Sequence, residues 1–140
     1  MEGLGVASSV IAVVELSARV ASLCLQYSLA VKDAKNHITR LQGEVKSLED
    51  VLGEVKQLLD GPDGAKLSGS QKLFKALNDC LSQLKTLDKR LKPGKSRKAM
   101  SRIGVRALKW PFNSKEVDKV VMELERCKQT ISLALQVDQT

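Results

Sequence analysis

Aromatic side chains are scarce in this 140-residue chain, which has one tryptophan, one tyrosine and two phenylalanines. Sheet proteins draw on aromatic and β-branched residues, so this shortage, beside abundant Leu, Val, Ala, Lys and Ser, favours helices packed through aliphatic side chains. Histidine is rarer still: His37 is the single one, which removes His-based metal sets and Cys/His or Ser/His nucleophilic pairs. The three cysteines, Cys24, Cys80 and Cys127, are far apart, odd in number and free of CxxC spacing. Each falls at an apolar helical position, and they read as buried, reduced thiols of an intracellular protein. No glycine-rich phosphate loop is present, since Gly94 and Gly104 lie in a basic stretch without the strand-then-helix context such a loop requires. Carboxylates are scattered along polar helix faces with no clustered pair. These absences argue against an enzyme and against any cofactor.

An uninterrupted apolar run is also missing. The chain opens MEGLGVASSVIAVVELSARVASLCLQYSLAV, where the only charges between Gly3 and Val31 are Glu15 and Arg19. A secretory signal needs a cationic start, but the first charge is Glu2 and no Lys or Arg precedes Arg19. The charges divide the stretch into two pieces, each short of the roughly 18 residues of a constitutive transmembrane helix. Glu15 and Arg19 have the favourable order for an i,i+4 ion pair. They share a narrow polar stripe with Ser8, Ser22 and Gln26, and nearly everything else around the helix is apolar or small. Such a helix is either the buried centre of a bundle or one that exchanges protein for lipid.

Further along, Ile38, Leu41, Val45, Leu48, Leu52, Val55 and Leu59 alternate by three and four, the seam of an amphipathic helix. The same register runs back through Ala34, Val31, Tyr27, Cys24 and Val20, so the break between the first two helices is placed between Ser28 and Asp33, with Asp33 as N-cap. Gly61-Pro62-Asp63-Gly64 stops the second helix. Ser68 or Ser70 caps a third with the seam Leu73, Leu77, Cys80, Leu84, Leu87 and Leu91, which Pro93-Gly94 ends. The last helix has a readable start: Phe112 before an Asn113 cap, Glu116 three residues on, and Val117 to meet Phe112 as a hydrophobic staple. Its seam is Val117, Val120, Leu124, Cys127, Ile131 and Ala134. The expected fold is therefore all-α, a single domain over residues 1–140: a four-helix bundle with an apolar N-terminal helix and a basic linker before the last helix.

Charge is uneven. Residues 1–80 carry nine Lys or Arg against ten Asp or Glu, whereas residues 81–140 carry fourteen against six. The excess gathers in Lys85, Lys89, Arg90, Lys92, Lys95, Arg97, Lys98, Arg102, Arg106 and Lys109, opposed in that run only by Asp88. The segment ends in KWPF, where Trp110 and Phe112 are expected to anchor the linker on the end of the bundle. A solvated linker, a nucleic-acid contact and an anionic membrane contact all fit a basic run. Two aromatics are too few for a base-stacking platform and no DNA-reading helix motif appears, so nucleic acid is not expected as a partner. An apolar helix joined to a separate polybasic segment supplies the two signals that stable membrane attachment requires.

The opening MEGLGVASSVIAVVELSARVASLC, the segment LQGEVKSLEDVLGEVKQLLDGP, the run RALKWPFNSKEVDKVVMELER and the ending LALQVDQT resemble the HeLo-like N-terminal domain of fungal NOD-like receptors and their cell-death effectors. That family is similar in turn to the four-helix bundle of the mixed lineage kinase domain-like pseudokinase of animal necroptosis, whose first helix is more polar. The resemblance implies a cell-death execution domain of fungal innate immunity and heterokaryon incompatibility, forming the N-terminal part of a longer protein. It implies a domain that is cytoplasmic when inactive and at the plasma membrane when activated, where it oligomerises and permeabilises. The implied partners are anionic lipids, further copies of itself, and an upstream receptor or amyloid-type signalling domain.

Magnitudes make such a domain a switch. As a helix, Leu4 to Val31 spans about 42 Å, more than the ~30 Å hydrocarbon layer. The Leu, Ile and Val residues from Leu4 to Leu25 return about 3 to 6 kcal/mol on insertion, whereas Glu15 and Arg19 near the centre cost about 2.5 to 3.5 kcal/mol each. Insertion therefore calls for several copies, with the small residues Gly5, Ala12, Ala18 and Ala21 allowing close approach. On this reading Leu4, Val6, Val10, Ile11, Val13, Val14, Leu16 and Val20 insert, and Glu15 and Arg19 line a pore. Lys92, Lys95, Arg97, Lys98, Arg102, Arg106 and Lys109 contact anionic lipid. The alternative is a non-lytic signalling adaptor whose first helix mediates contact between bundles.

Overall fold

The three-four alternation is realised as helices throughout. In the computed structural model, which describes residues 5–62, 64–92 and 109–139 and side chains as far as residue 136, four long helices and one short one surround a single core, with no strand among the described residues. The elements are α1 (Val6–Ala30), α2 (Lys35–Asp60), α3 (Gly64–Ser68), α4 (Gln71–Leu91) and α5 (Ser114–Gln139). The expected seams form the core. Ile38, Leu41, Val45, Leu48, Leu52 and Val55 of α2 are buried, as are Leu73, Leu77, Cys80, Leu84, Leu87 and Leu91 of α4. On α5, Val117, Leu124, Cys127, Ile131 and Ala134 are buried, while Val120 packs against the core half-buried.

Side-chain contacts fix the directions. Tyr27 Oη donates to the carbonyl of Leu91 at 2.8 Å, bringing the C-terminal ends of α1 and α4 together, so these two run parallel. Arg90, at the end of α4, pairs with Glu116 at the start of α5 at 3.2 Å, so α4 and α5 are antiparallel. Arg40 and Asp118, near the starts of α2 and α5, meet at 2.6 Å. Each long helix thus packs on two others: α1 on α2 and α4, and α5 on the same two from the far side.

Two local expectations are corrected, and an alternative left open at a third is decided. The break between the first two helices falls at residues 31–34, but the N-cap is Ala34 rather than Asp33, with φ −113°, ψ 24° and no side-chain cap. Val31 and Ala34 turn onto the core and carry the connection inward, leaving Asp33 exposed. The stretch after Gly61-Pro62 contains α3, a turn of helix seated on α2 by buried Gly64 and Leu67. A Cβ on Gly64 would overlap the Leu59 backbone carbonyl, so only glycine fits there. Of the two serines, Ser70 is the cap of α4 and accepts from the Leu73 amide at 3.1 Å, while Ser68 Oγ donates back to the carbonyl of Gly64 at 3.0 Å. The start of α5 forms as read. Asn113 Oδ1 accepts from the Glu116 amide at 2.8 Å, and Glu116 Oε1 accepts from the Asn113 amide at 2.9 Å. Phe112 and Val117 flank this capping box, both buried.

Candidate functional site

α1 presents two faces. Its inner face, with Val6, Ser9, Val10, Val13, Ser17, Val20, Leu23, Cys24 and Tyr27, is buried against α2 and α4. Ser17 satisfies its hydroxyl on the Val14 carbonyl at 2.9 Å. The opposite face is exposed and in part apolar: Ile11 is 58% exposed, Val14 36%, Leu25 54% and Leu29 79%. Ala7 precedes them and Ala18 lies between them, both exposed. The polar residues Ser8, Glu15, Arg19, Ser22 and Gln26 form one flank of that same outer face.

The residues expected to insert into a membrane are therefore not one surface. Val6, Val10, Val13 and Val20 are core residues, Leu16 is half-buried, and Ile11 and Val14 face outward. Leu4 lies outside the described residues. A helix with apolar side chains nearly all round divides them between core and surface, and only the partner helices decide which go where. Leu25 and Leu29, which the sequence reading passed over, extend the outward set and continue its helical spacing. α1 is long and apolar enough by length and composition to cross a membrane.

The expected Glu15–Arg19 ion pair is not made. Arg19 instead reaches across to α4, where its Nη1 lies 3.5 Å from Asp88 Oδ2, and Glu15 pairs with nothing among the described residues. Asp88 is the organising acid of this region. Its side chain is 9% exposed, and the same oxygen accepts an ion pair from Lys92 at 3.2 Å. A buried carboxylate that gains two cations offsets much of its lost hydration. The sequence carried a signal for this: Asp88 adjoins the seam position Leu87 and precedes Lys92 by four.

Among the expected lipid contacts, Lys92 and Lys109 are exposed. Lys95, Arg97, Lys98, Arg102 and Arg106 lie outside the described residues. Asp88 is not the only acid facing the basic set, because Glu116 takes Arg90. The Arg90 guanidinium also donates to the Pro111 carbonyl at 2.9 Å and stacks over the Phe112 ring at 4.7 Å. Phe112 meets Trp110 edge-on at 5.3 Å, and Trp110 meets Tyr27 at 5.4 Å. These four side chains tie the chain re-entering at residue 109 to the ends of α1 and α4, where Trp110 and Phe112 were expected to sit. The Trp110 indole N–H is buried there with no partner among the described residues.

Between α2 and α5 lies a polar cluster that the sequence did not disclose. Lys128 Nζ donates to Ser47 Oγ at 2.7 Å, pairs with Glu125 Oε1 at 2.8 Å, and lies 3.3 Å from Glu44 Oε2 in an ion contact short of hydrogen-bond geometry. Burial, followed by the neighbouring Glu125, raises the Glu44 carboxyl above its ordinary value, with Lys128 only partly opposing it. Burial by itself would lower the Lys128 ammonium, but the two carboxylates raise it on balance. The thiols are reduced and buried, and burial pushes Cys24 up to about 12. The neighbouring Cys127 thiol on α5, followed by burial, raises Cys80 well above the ordinary thiol value. Among the described residues no three His, Cys, Asp or Glu side chains gather as a metal site.

An all-α domain with a bifacial apolar first helix, seated on its bundle by a buried inner face and joined to α4 at Asp88, is the class these features define. The chain matches over residues 1–138 the family model described as pigment biosynthesis cluster protein PigL N-terminal, and it belongs to that family. The match agrees with the coarser half of the resemblance noted in the sequence, a fungal helical domain. No curated protein and no solved structure matches the chain.

Proposed function

We infer that the domain is a membrane-targeting cell-death execution module of the four-helix-bundle, HeLo-like kind, activated by oligomerisation and acting by permeabilising an anionic membrane. The observation that carries this reading is the outward face of α1, where Ile11, Leu25 and Leu29 stand more than half exposed on a 25-residue helix. The exposed Lys92 and Lys109 bracket the rest of the basic segment and supply the electrostatic half of the attachment.

Full insertion requires α1 to leave the bundle. Val6, Val10, Val13, Val20, Leu23 and Tyr27 are each worth about 1.5 to 3 kcal/mol when buried, so their withdrawal costs on the order of 10 kcal/mol before lipid replaces the lost contacts. That cost keeps a single copy closed and makes assembly on a membrane the trigger.

The test is dye release from anionic liposomes by the purified chain. Ile11→Asp with Leu25→Asp is expected to keep the helical signal and melting behaviour but to lose leakage. Lys95, Arg97, Lys98 and Arg102 all changed to Glu should lose vesicle binding, since each cation near an anionic surface contributes about 1 kcal/mol. A parent chain that releases no dye, or a double variant that leaks as the parent does, overturns the reading. The burial of half the expected inserting residues favours a second reading, a non-lytic adaptor that keeps α1 in place. That reading predicts no leakage from any variant, and the family's description favours neither.

A further inference from the structure

We propose that the outward face of α1 is an interface for a second copy of this chain, which docks as an antiparallel helix about a two-fold axis passing beside Ala18. The exposed apolar positions Ala7, Ile11, Val14, Ala18, Leu25 and Leu29, with half-buried Ala21 filling the gap, repeat by threes and fours. This is the spacing by which the inner seams pack on neighbouring helices, here on a face that no described helix covers.

The order of residues along the face is self-complementary. With Ala18 on the axis, Ile11 of one copy falls opposite Leu25 of the other, and Ala7 opposite Leu29. Ile11, Leu25 and Leu29 then each meet an apolar side chain, Val14 falls level with Ser22 and beside Ala21 of the other copy, and the alanine at the centre lets the backbones approach. The polar flank supplies an independent argument. A two-fold axis perpendicular to an antiparallel pair brings the same flank of each helix to the same side. Glu15 of one copy then lies beside Arg19 of the other, twice over, with an axial offset of about 3 Å that both long side chains can span, and the two Arg19 residues, at the same offset from each other across the axis, are flanked by these carboxylates and by their own Asp88. Glu15 has no ion-pair partner among the described residues. Arg19 is 58% exposed and engages Asp88 through one nitrogen, leaving its other donors free to turn outward. A parallel pair would set Leu29 against Leu29 and Ala7 against Ala7, and would leave Glu15 without a cation. The proposal does not rest on the membrane reading, and its measurements contain no lipid.

Sedimentation velocity across a concentration series is expected to show a reversible dimer in lipid-free buffer. Ala18→Cys should form a disulfide-linked dimer under mild oxidation at least tenfold faster than Ala65→Cys on α3, the native thiols being buried. A mixture of Ala7→Cys and Leu29→Cys chains should crosslink with each other in preference to themselves. Glu15→Lys sits on the surface, sets like charges beside Arg19, and is expected to shift the equilibrium to monomer while keeping the parent's helical signal and, at dilutions where the parent is also monomeric, its melting temperature. A monomer at every concentration, Ala18→Cys crosslinking no faster than Ala65→Cys, self-preference of Ala7→Cys, or a dimer unaffected by Glu15→Lys would each overturn the proposal.

Discussion

Lys128 holds two carboxylates at once, and its removal exposes what each of them costs. Its side chain is 15% exposed and that of Glu44 13%, so Lys128→Met strands Glu44 in a poorly hydrated site. A loss of about 1 to 3 kcal/mol is expected at pH 7, read by urea denaturation. The pH dependence gives the sharper test. Burial raises the folded-state Glu44 above its ordinary 4.5, so between that value and the raised one the folded chain binds more protons than the unfolded chain. Stability attributable to Glu44 therefore increases as pH falls through this window. The variant, having lost the opposing cation, should regain part of its deficit as pH falls toward 4.5, and a deficit that widens on the way would contradict the assignment. Lys128 acts in the other direction: its raised ammonium contributes stability below 10.5 that is lost as pH rises through the folded value. At Asp88, the isosteric Asp88→Asn should cost about 1 kcal/mol, since both cations remain half exposed to water.

At the scale of elements, two short devices set where helices begin. Gly64→Ala should be among the most damaging single changes in the chain, at about 2 kcal/mol or more, because the added methyl meets the Leu59 carbonyl rather than a movable side chain. Asn113→Ala removes the cap of α5 and should cost about 1 kcal/mol by thermal denaturation. The Asn113 amide, and then Arg90, holds the Glu116 carboxyl below 4.5. The box therefore contributes above that value and is lost as pH falls toward the lowered one, so Glu116→Gln should flatten the acid limb of the stability curve. Capping boxes are legible in sequence because all their atoms lie within four residues. The seams were legible for a similar reason, since three-four spacing is a property of one helix. What escaped was set by other helices. α3 exists because Leu67 finds the core, and Asp88 and Glu44, the cross-helix partners of Arg19 and Lys128, lie 69 and 84 residues away from them in the chain. The division of α1 into buried Val10 and exposed Ile11 needed the positions of α2 and α4.

For the molecule as a whole, the thiols report closure of the bundle, because Cys24, Cys80 and Cys127 sit on α1, α4 and α5 in one core. With Cys24 pushed up to about 12 and fully buried, that thiol should resist alkylation in the native chain at pH 8 and react only on unfolding, while Cys127, 8% exposed and lowered by its Cys80 neighbour, is the first of the three expected to react. Early reaction of Cys24 alone would mark α1 as the first element to detach. The parallel packing of α1 on α4 has a further consequence during synthesis. Arg19 and Tyr27 meet partners that follow them by 69 and 64 residues. At roughly 5 to 20 residues per second, α1 leaves the ribosome about 3 to 14 s before α4 can cover it. For that interval the most apolar of the described helices is a nascent amphiphile with only α2 and the short α3 to pack against. Ribosome-associated chaperones and targeting factors therefore meet α1 before its own fold does, and slow translation between α2 and α4 lengthens that encounter.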